Sequence, residues 1–345
     1  MAVIYPMPRT EEELDLLLSR PTEELGEFMK KLPGDILILG IGGKIGVTLG
    51  MAAVRACQEG DVKKTVYGVS RFSDLTAQKK LEQIGVKTIP CDLLDSKAID
   101  NLPEASNVIF MAGKKFGTEG AAEITWTLNT LVPSHVAERY RESRIVVYST
   151  GCVYDFVSPA SGGSIESDPP KPMGDYAQSA LGRERIFQYY SRIYGTPVCM
   201  LRLNYAIDLR YGVLRDIADK VLKGEPIDLT VGNFNCIWQG DVIRQTLLSL
   251  EYCASPARVL NITGPETVSV RWTAEQFGQR FGKQPYFVGT EGNRMYLNNA
   301  AEATGLFGYP RVPLLHMIEM VAAWVQAGGP SLGKPTHFEV VDGKF

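Results

Sequence analysis

The sequence lacks the features that mark several large classes of protein. None of its apolar runs approaches the roughly 20 residues needed to cross a bilayer, so no membrane contact is predicted. Its 36 Lys and Arg residues are outnumbered by 39 Asp and Glu residues, which leaves no basic excess for binding nucleic acid. The six cysteines form no C-x-x-C pair and the three histidines share no spacing, so neither a disulfide framework nor a metal site is expected.

The first residues also lack the basic flank and the apolar stretch of a signal peptide. Pro6 and Pro8 interrupt them, and acidic residues follow from Glu11. We therefore expect a cytoplasmic protein with reduced thiols. What is present is an ordinary globular composition, with 45% hydrophobic and 22% charged residues over 345 positions. This length suits one large domain or two modest ones.

From residue 35 onward, short apolar runs alternate with helical segments. Strands are predicted at 35–40, 65–70, 87–90, 107–111, 144–149 and 198–203, with helices between most of them. Nearly all-apolar strands that alternate with helices are typical of a parallel sheet covered on both faces. The sequence therefore predicts an α/β protein with a doubly wound, Rossmann-like parallel sheet.

The composition of the chain changes at two places, and these suggest three parts. Residues 1–34 are predicted to form a helical extension of two short helices, broken near Pro21. Residues 35–205 are predicted to form a Rossmann domain. Residues 206–345 are predicted to form mostly a smaller C-terminal substrate lobe, ending in a polar tail with a short strand.

The most informative segment follows the first predicted strand directly. Gly40, Gly43 and Gly46 are spaced G-x-x-G-x-x-G and enclose Lys44 and Ile45 before a helix begins. A dinucleotide pyrophosphate needs amides at a helix N-terminus, a glycine for the tight turn and a glycine for its own close approach. We therefore predict that these five residues bind a dinucleotide. A plain glycine-rich turn is the alternative interpretation.

The end of the second predicted strand bears on which dinucleotide binds. A carboxylate normally stands there to bind the ribose 2′-hydroxyl of NAD, but this chain has Ser70 and Arg71, and its first acid is Asp74. Arginine makes bidentate contacts to phosphate, so the sequence favours NADP, with NAD as the alternative. After the third strand, Asp92 and Leu93 are predicted to border the adenine.

A second set of residues forms a recognisable series. It comprises the glycine loop, Met111-Ala112-Gly113, Asn129, Ser149-Thr150, Tyr154, Tyr176, Ser179, Glu184, Arg202-Leu203-Asn204 and Asp241-Val242. The series resembles the extended short-chain dehydrogenase/reductase superfamily, specifically its NAD(P)-dependent epimerase/dehydratase family, over residues 35 to about 325. The resemblance implies that Tyr176 is the general acid/base and that Thr150 polarises the substrate oxygen. It also implies that Met111, Ala112, Gly113, Asn129 and Tyr176 contact the cofactor, and that the helices around 123–141 and 176–194 form a homodimer.

One departure from this family bears on the chemistry. Its members carry a lysine four residues after the tyrosine, which lowers the pKa of that phenol, whereas this chain has Ala180. Lys114 and Lys115, after the fourth predicted strand, are our candidates to replace it. Arg183 is disfavoured because about 10 Å of helix rise separates it from Tyr176. The alternative is a protein that binds a dinucleotide without turnover, as a sensor or scaffold.

The substrate is indicated only by class. Cys152 stands where similar epimerase/reductases keep an acid/base cysteine, and burial as a small apolar side chain is the alternative. Nucleotide-sugar enzymes of this family commonly carry an arginine in the strand before Asp241, but residues 234–238 contain none. We therefore expect a small-molecule substrate such as a sugar, a sugar acid or a related carbonyl compound. The predicted function is NAD(P)-dependent oxidation or reduction of a secondary alcohol or ketone, and the alternative is epimerisation through a transient keto intermediate.

Overall fold

A parallel sheet of seven strands forms the centre of the protein. The structure is a computed structural model that describes residues 7–113 and 122–340. The sheet has the order β11-β6-β5-β4-β1-β2-β3, and every neighbouring pair is parallel. The strands are β1 Ile36–Leu39, β2 Val66–Ser70, β3 Lys87–Pro90, β4 Asn107–Phe110, β5 Arg144–Thr150, β6 Val198–Leu203, β7 Ala206–Ile207, β8 Pro226–Asp228, β9 Asn233–Phe234, β10 Ile237–Trp238, β11 Arg258–Ile262, β12 Val268–Ser269 and β13 Tyr286–Val288.

Helices cover both faces of this sheet. They are α1 Glu11–Leu18, α2 Glu23–Lys31, α3 Gly46–Glu59, α4 Leu75–Ile84, α5 Ser96–Asp100, α6 Ala122–Trp126, α7 Val132–Arg139, α8 Gly174–Tyr194, α9 Val213–Lys223, α10 Gln239–Leu248, α11 Val270–Phe281, α12 Ala301–Phe307 and α13 Leu314–Gln326. In β1, Ile36 and Ile38 pack into a core cluster that includes α3, whereas Leu37 and Leu39 pack into another that includes α7 and α8. Successive side chains of a strand point to opposite faces, so each strand serves two hydrophobic cores. The predicted doubly wound α/β fold is confirmed.

The winding of the sheet reverses between β1 and β4. From β1 the chain proceeds outward through β2 and β3, and then returns to β4 and proceeds outward on the other side. In open α/β sheets, ligands bind in the crevice outside the carboxyl ends of the strands at such a switch point. The glycine loop follows β1 and Met111 follows β4, so both border this crevice.

Besides the two cores of the sheet, a third hydrophobic cluster lies outside the sheet. It joins Leu14 and Leu18 of α1 to the inner faces of α9, α11 and α13. The end of the described chain also packs there, because Phe338 is buried against Phe234, with ring centroids 6.4 Å apart. The expectation of a polar tail is therefore wrong for this segment, and its described residues, 333–340, form no strand. The three predicted domain boundaries stay a prediction.

The long helix predicted around 123–141 is interrupted. Residues Thr127–Leu131 form a π-helical turn between α6 and α7, and this turn buries Asn129. Such turns are frequent at functional sites. Across the two described ranges, no helix is long and apolar enough to span a membrane.

Candidate functional site

The glycine loop lies at the carboxyl end of β1 and lines a cavity of about 880 Å³. Gly40 has a φ of +93°, and a Cβ on it would lie 2.6 Å from the backbone nitrogen of Ala112, so the loop packs directly on the chain after β4. The side chain of Ile45, which precedes α3, has no oxygen to cap the helix. The Gly46 amide donates to the Gly43 carbonyl at 3.1 Å, and the amides that follow it have no side-chain cap and face the position suited to an anion. Gly40, Gly43, Lys44 and Ile45 line the cavity, and Gly46 begins α3.

The residues predicted to select the dinucleotide, Ser70 and Arg71, are not among those that line the cavity. Ser70 ends β2, and Arg71 is exposed and outside the cavity wall. Asp74 does line the cavity, where it also caps α4 by accepting a 2.9 Å hydrogen bond from the Thr76 amide. An acid is therefore present on the ribose side of the crevice, four residues later than the usual position.

The adenine-side residues are also outside the wall. Asp92 is exposed and accepts a hydrogen bond from the Leu94 amide, and Leu93 is buried in the core. From the chain after β4, Met111 and Gly113 line the cavity, while Ala112 packs behind the loop. The proposed cofactor roles of Asp92 and Leu93 stay predictions.

Thr150 and Tyr176 meet at the centre of the cavity. Thr150 ends β5, Tyr176 lies in the first turn of α8, and both side chains line the wall. Their hydroxyl groups are hydrogen-bonded to each other. Burial and the neighbouring Cys152 thiol raise the pKa of Tyr176 to about 12, while the Thr150 hydrogen bond and the charge of Arg183 oppose this rise. The geometry is that of a proton-exchanging phenol beside a hydroxyl that can hold the same substrate oxygen.

A chain of buried polar groups leads away from Tyr176. The Ser179 hydroxyl donates to the Tyr176 carbonyl at 3.0 Å and accepts from Asn129 Nδ2 at 2.9 Å. Asn129 Oδ1 accepts from Arg183 Nη2 at 2.6 Å, and Arg183 Nη1 donates to the Tyr148 carbonyl at 2.7 Å. Arg183 lines the same cavity as Tyr176, which helix rise alone does not predict. Asn129 lies behind the wall, and its role in cofactor contact stays a prediction.

Cys152 is buried outside the cavity wall. It packs with Phe156, Ala177 and Tyr296, and the ring of Tyr176 lies against this cluster. The observed packing agrees with the apolar alternative, and an acid/base role for this thiol stays a prediction. Lys114 and Lys115 fall outside the described residues.

A buried ion pair supports the end of β5 from behind. Arg202 Nε and Nη2 donate to the two carboxylate oxygens of Glu184 at 3.0 and 2.8 Å, and Ser149 donates to the same carboxylate at 2.6 Å. Arg202 Nη1 also donates to the Tyr154 hydroxyl at 2.7 Å. Burial disfavours the arginine charge, but the hydrogen bonds and charge of Glu184 prevail and raise the pKa of Arg202. This network anchors β5, the strand that ends at Thr150.

The far wall of the cavity comes from residues that the sequence did not single out as a group. Tyr205 and Tyr211 line it, and the ammonium of Lys44 lies 3.4 Å from the Tyr211 ring centre, across the cleft from its own loop. Tyr205 adopts a φ of +41°, a strained value for a non-glycine residue that is common at functional sites. No pattern in a single sequence marks such a φ, but both tyrosines follow the end of β6, a position that borders the crevice.

Both ends of the described chain also reach this wall. Glu11 and Asp15 of α1 line it together with Leu332, Lys334 and Thr336. Arg210 joins these parts, since it forms ion pairs with Asp208 at 2.8 Å and with Asp15 at 3.0 Å, while its carbonyl accepts from the Leu332 amide. Within the described ranges, no group of three or more His, Cys, Asp or Glu side chains could hold a metal ion.

Comparisons with known proteins bear on the family and the fold. The sequence model described as "NAD dependent epimerase/dehydratase family" matches residues 36–246. A comparison with curated protein sequences finds no match.

Several solved structures share the fold. MoeE5, solved with UDP-glucose and NAD, is 21% identical with a TM-score of 0.68, over 86% of this chain and 99% of its own. The UDP-glucose 4-epimerase of Thermotoga maritima, solved with UDP-glucose, is 18% identical with a TM-score of 0.69, over 85% and 99%. The UDP-glucuronic acid 4-epimerase of Bacillus cereus, solved with UDP-glucuronic acid and NAD, is 20% identical with a TM-score of 0.69, over 85% and 99%. The chain is a member of the NAD dependent epimerase/dehydratase family.

Proposed function

We propose that this protein is an NAD-dependent sugar epimerase that works through a transient keto intermediate. The observation that carries the proposal is the hydrogen-bonded pair of Thr150 and Tyr176, which shares one cavity with the glycine loop. A proton-exchanging group and a dinucleotide site must border the same carbon atom for this chemistry, and the shared cavity supports that arrangement.

The residues of the crevice fit a nicotinamide dinucleotide. The turn at Gly40 brings backbone close to the chain after β4, and the start of α3 offers uncapped amides for a pyrophosphate. Asp74 supplies an acceptor for ribose hydroxyls on one side, and Met111 and Gly113 line the wall on the other. When bound there, the dinucleotide supplies the acceptor and the donor of a hydride.

The chain's own residues then handle the proton and the oxygen. Thr150 donates a hydrogen bond to the reacting oxygen and so fixes its position beside Tyr176. The Tyr176 phenolate takes the proton of the sugar hydroxyl as that carbon loses its hydride, which leaves a ketone. When the hydride returns to the opposite face of the ketone, Tyr176 gives the proton back, and the product is the epimer. Tyr205 and Tyr211 line the same cavity, in which the ketone must turn before the hydride returns.

Epimerisation is preferred to the net oxidoreduction that the sequence favoured. Both reactions need the same pair of hydroxyl groups, so the geometry alone does not separate them. The family match supports the epimerase interpretation, as do the similar structures of two UDP-sugar 4-epimerases.

Exposed apolar side chains on α6, its following turn and α8 support the expected homodimer. They include Ile124, Leu131, Tyr189 and Ile193.

The test begins with the cofactor that the protein retains. We expect denatured protein to release NAD or NADH, because an epimerase regenerates its cofactor within each turnover. The protein should then convert one of a set of UDP-hexoses, UDP-hexuronic acids or free sugars into its epimer, measured by proton NMR, without net change in NADH absorbance.

The other outcomes are distinct. Steady accumulation of NADH, or steady consumption of NADPH, would overturn epimerisation and restore the oxidoreductase interpretation. Dinucleotide binding with no conversion of any sugar would favour the sensor interpretation. A protein that neither retains nor binds a dinucleotide would contradict the proposal at its first step.

Asp74 provides a second prediction, which concerns the choice of dinucleotide. We expect NADH to bind more tightly than NADPH, because the Asp74 carboxylate accepts ribose hydroxyls and repels a 2′-phosphate. Asp74→Asn keeps an oxygen to cap α4 but removes the charge. It should reduce the preference for NADH by roughly tenfold, as measured by fluorescence titration of both cofactors.

Two exposed residues serve as controls for this measurement. Asp95→Asn removes the carboxylate that caps α5, outside the cavity wall, and should leave both affinities unchanged. Tighter binding of NADPH by the wild type, abolished by Arg71→Ala, would instead support the NADP expectation drawn from the sequence.

A further inference from the structure

The Tyr176 phenol lies in surroundings that oppose its ionisation. Burial raises its pKa to about 12, so it needs a nearby positive charge to serve as a base. The position where the family carries lysine is Ala180, whose side chain packs in an apolar cluster with Val153 and Tyr154. Some other cation must therefore stabilise the phenolate.

Arg183 reaches Tyr176 although two helical turns separate their backbones. Side chains of a helix lean toward its N-terminus, and arginine is long, so the guanidinium extends back along α8. Its two terminal nitrogens are fixed by the Tyr148 carbonyl and by Asn129 Oδ1. The group lines the cavity beside Tyr176, and the charges of the two residues interact.

The surroundings of Arg183 are unusual for a buried charge. The carbonyl and the amide oxygen that accept its hydrogen bonds are both neutral, and the adjacent carboxylate of Glu184 is already bound by Arg202. Its Nε is buried and has no hydrogen-bond partner among residues 7–113 and 122–340. Burying a charge to which no carboxylate of these described residues is hydrogen-bonded is expensive, which indicates a role beyond stability.

Gly113 makes the space that Arg183 occupies. A Cβ at this position would collide with Nη2 of the guanidinium and would lie 2.8 Å from Asn129 Oδ1. The glycine after β4, the arginine of α8 and the asparagine of the π-helical turn thus form one fitted unit at the cavity wall.

We propose that Arg183 is a positioning residue whose guanidinium stabilises the Tyr176 phenolate in place of the missing lysine. This inference rests on the proposed function, because it assigns Arg183 to that function's proton transfer. Arg183 keeps its own protons throughout, and the single proton exchanged with the sugar oxygen is that of the phenol. Within residues 7–113 and 122–340, Cys152, after β5, and Tyr211, before α9, also interact electrostatically with Tyr176.

The test compares Arg183→Met with Arg183→Lys. Protein labelled with ¹³C at tyrosine Cζ is followed by NMR from pH 7 to pH 12, with and without dinucleotide, and Tyr176→Phe identifies the resonance. The pH at which ionisation begins is the quantity compared, because the midpoint lies near the upper limit of this range. Methionine keeps the apolar stem of arginine but removes the charge, so the onset of Tyr176 ionisation should move upward by about one pH unit or more. Lysine should retain most of the wild-type position. If Arg183→Met does not fold, Arg183→Gln tests the loss of charge while keeping a donor for Asn129.

Turnover supplies an independent signature. In the sugar assay, Arg183→Met should be about tenfold slower at pH 7, and its deficit should shrink only above the pH at which wild-type Tyr176 ionises, because the wild-type rate levels off there while that of the variant still rises. A purely structural role would lower the rate by the same factor at every pH. The matched control is Arg185→Met on the same helix, which is exposed and should change neither quantity.

The two proposals can fail separately. An unchanged Tyr176 titration in Arg183→Met would overturn the role of Arg183 even if the protein is an epimerase. A titration that moves as expected, in a protein that converts no sugar, would contradict the proposed function while the electrostatic pairing stands.

Discussion

Tyr176→Phe is expected to lower turnover by roughly 10²- to 10⁴-fold, the usual range for loss of a general acid/base. The change removes only the oxygen that is hydrogen-bonded to Thr150. The ring keeps its place against Ala177 and Tyr296, so binding of the dinucleotide should stay within about twofold of the wild type. Turnover is measured as epimer formation by NMR, and binding is measured by NADH fluorescence.

A second phenol on the same helix provides the control. Tyr189 is exposed on α8, and Tyr189→Phe should leave turnover and binding unchanged. If Tyr176→Phe retained full turnover, the assignment of the proton to this residue would be wrong. If both proteins bound dinucleotide equally and neither had turnover in any assay, the sensor interpretation would gain support.

Arg202→Met is expected to lower the free energy of unfolding by about 3–5 kcal/mol. Its side chain is 3% exposed and that of Glu184 is 0% exposed, so the substitution leaves a carboxylate buried without its cation. Ser149 remains as a donor, but one neutral hydroxyl does not replace a bidentate guanidinium. Urea unfolding followed by circular dichroism measures the change.

A double variant and a surface variant distinguish the loss of the buried ion pair from the loss of packing. Replacing both partners, in Arg202→Met with Glu184→Leu, removes the stranded charge and should recover much of the lost stability. Arg141→Met breaks an exposed ion pair with Glu138 at 3.5 Å and should change stability by less than about 0.5 kcal/mol. An equal loss in Arg202→Met and in the double variant would show that packing, rather than charge, governs this site.

The main sheet is predictable because its signals are local. The strand predicted at Lys87–Pro90 has the observed bounds, and β1 differs from its prediction by one residue at each end. The strand β1 is apolar on both faces and is bounded by Asp35 and Gly40, so its pattern needs no knowledge of distant contacts. The placement of the glycine loop between β1 and α3 follows from the same local reasoning.

The cavity wall is harder to predict because it depends on side-chain direction and on distant segments. Backbone distance disfavours Arg183, whereas the length and tilt of its side chain bring the guanidinium to the cavity. The π-helical turn that orients Asn129 has no signal in the hydrophobic pattern. Asp15 and Lys334 line the same wall because both ends of the described chain pack beside the cavity. The periodicity of hydrophobic residues does not reveal such packing between distant segments.

The position of α1 has a consequence for how the protein acquires its structure. Leu14 and Leu18 belong to one hydrophobic cluster with side chains of α9, α11 and α13, which lie some 200 to 300 residues further along the chain. At ribosomal rates of ~5–20 residues per second, α1 waits roughly 15 to 60 s for the last of these helices. During that interval α1 can contact α3, but the partners of Leu14 and Leu18 in this cluster are incomplete, and closing so long a loop slows folding. We therefore expect α1, although it is synthesised first, to be among the last helices to dock. Its docking completes the hydrophobic cluster outside the sheet.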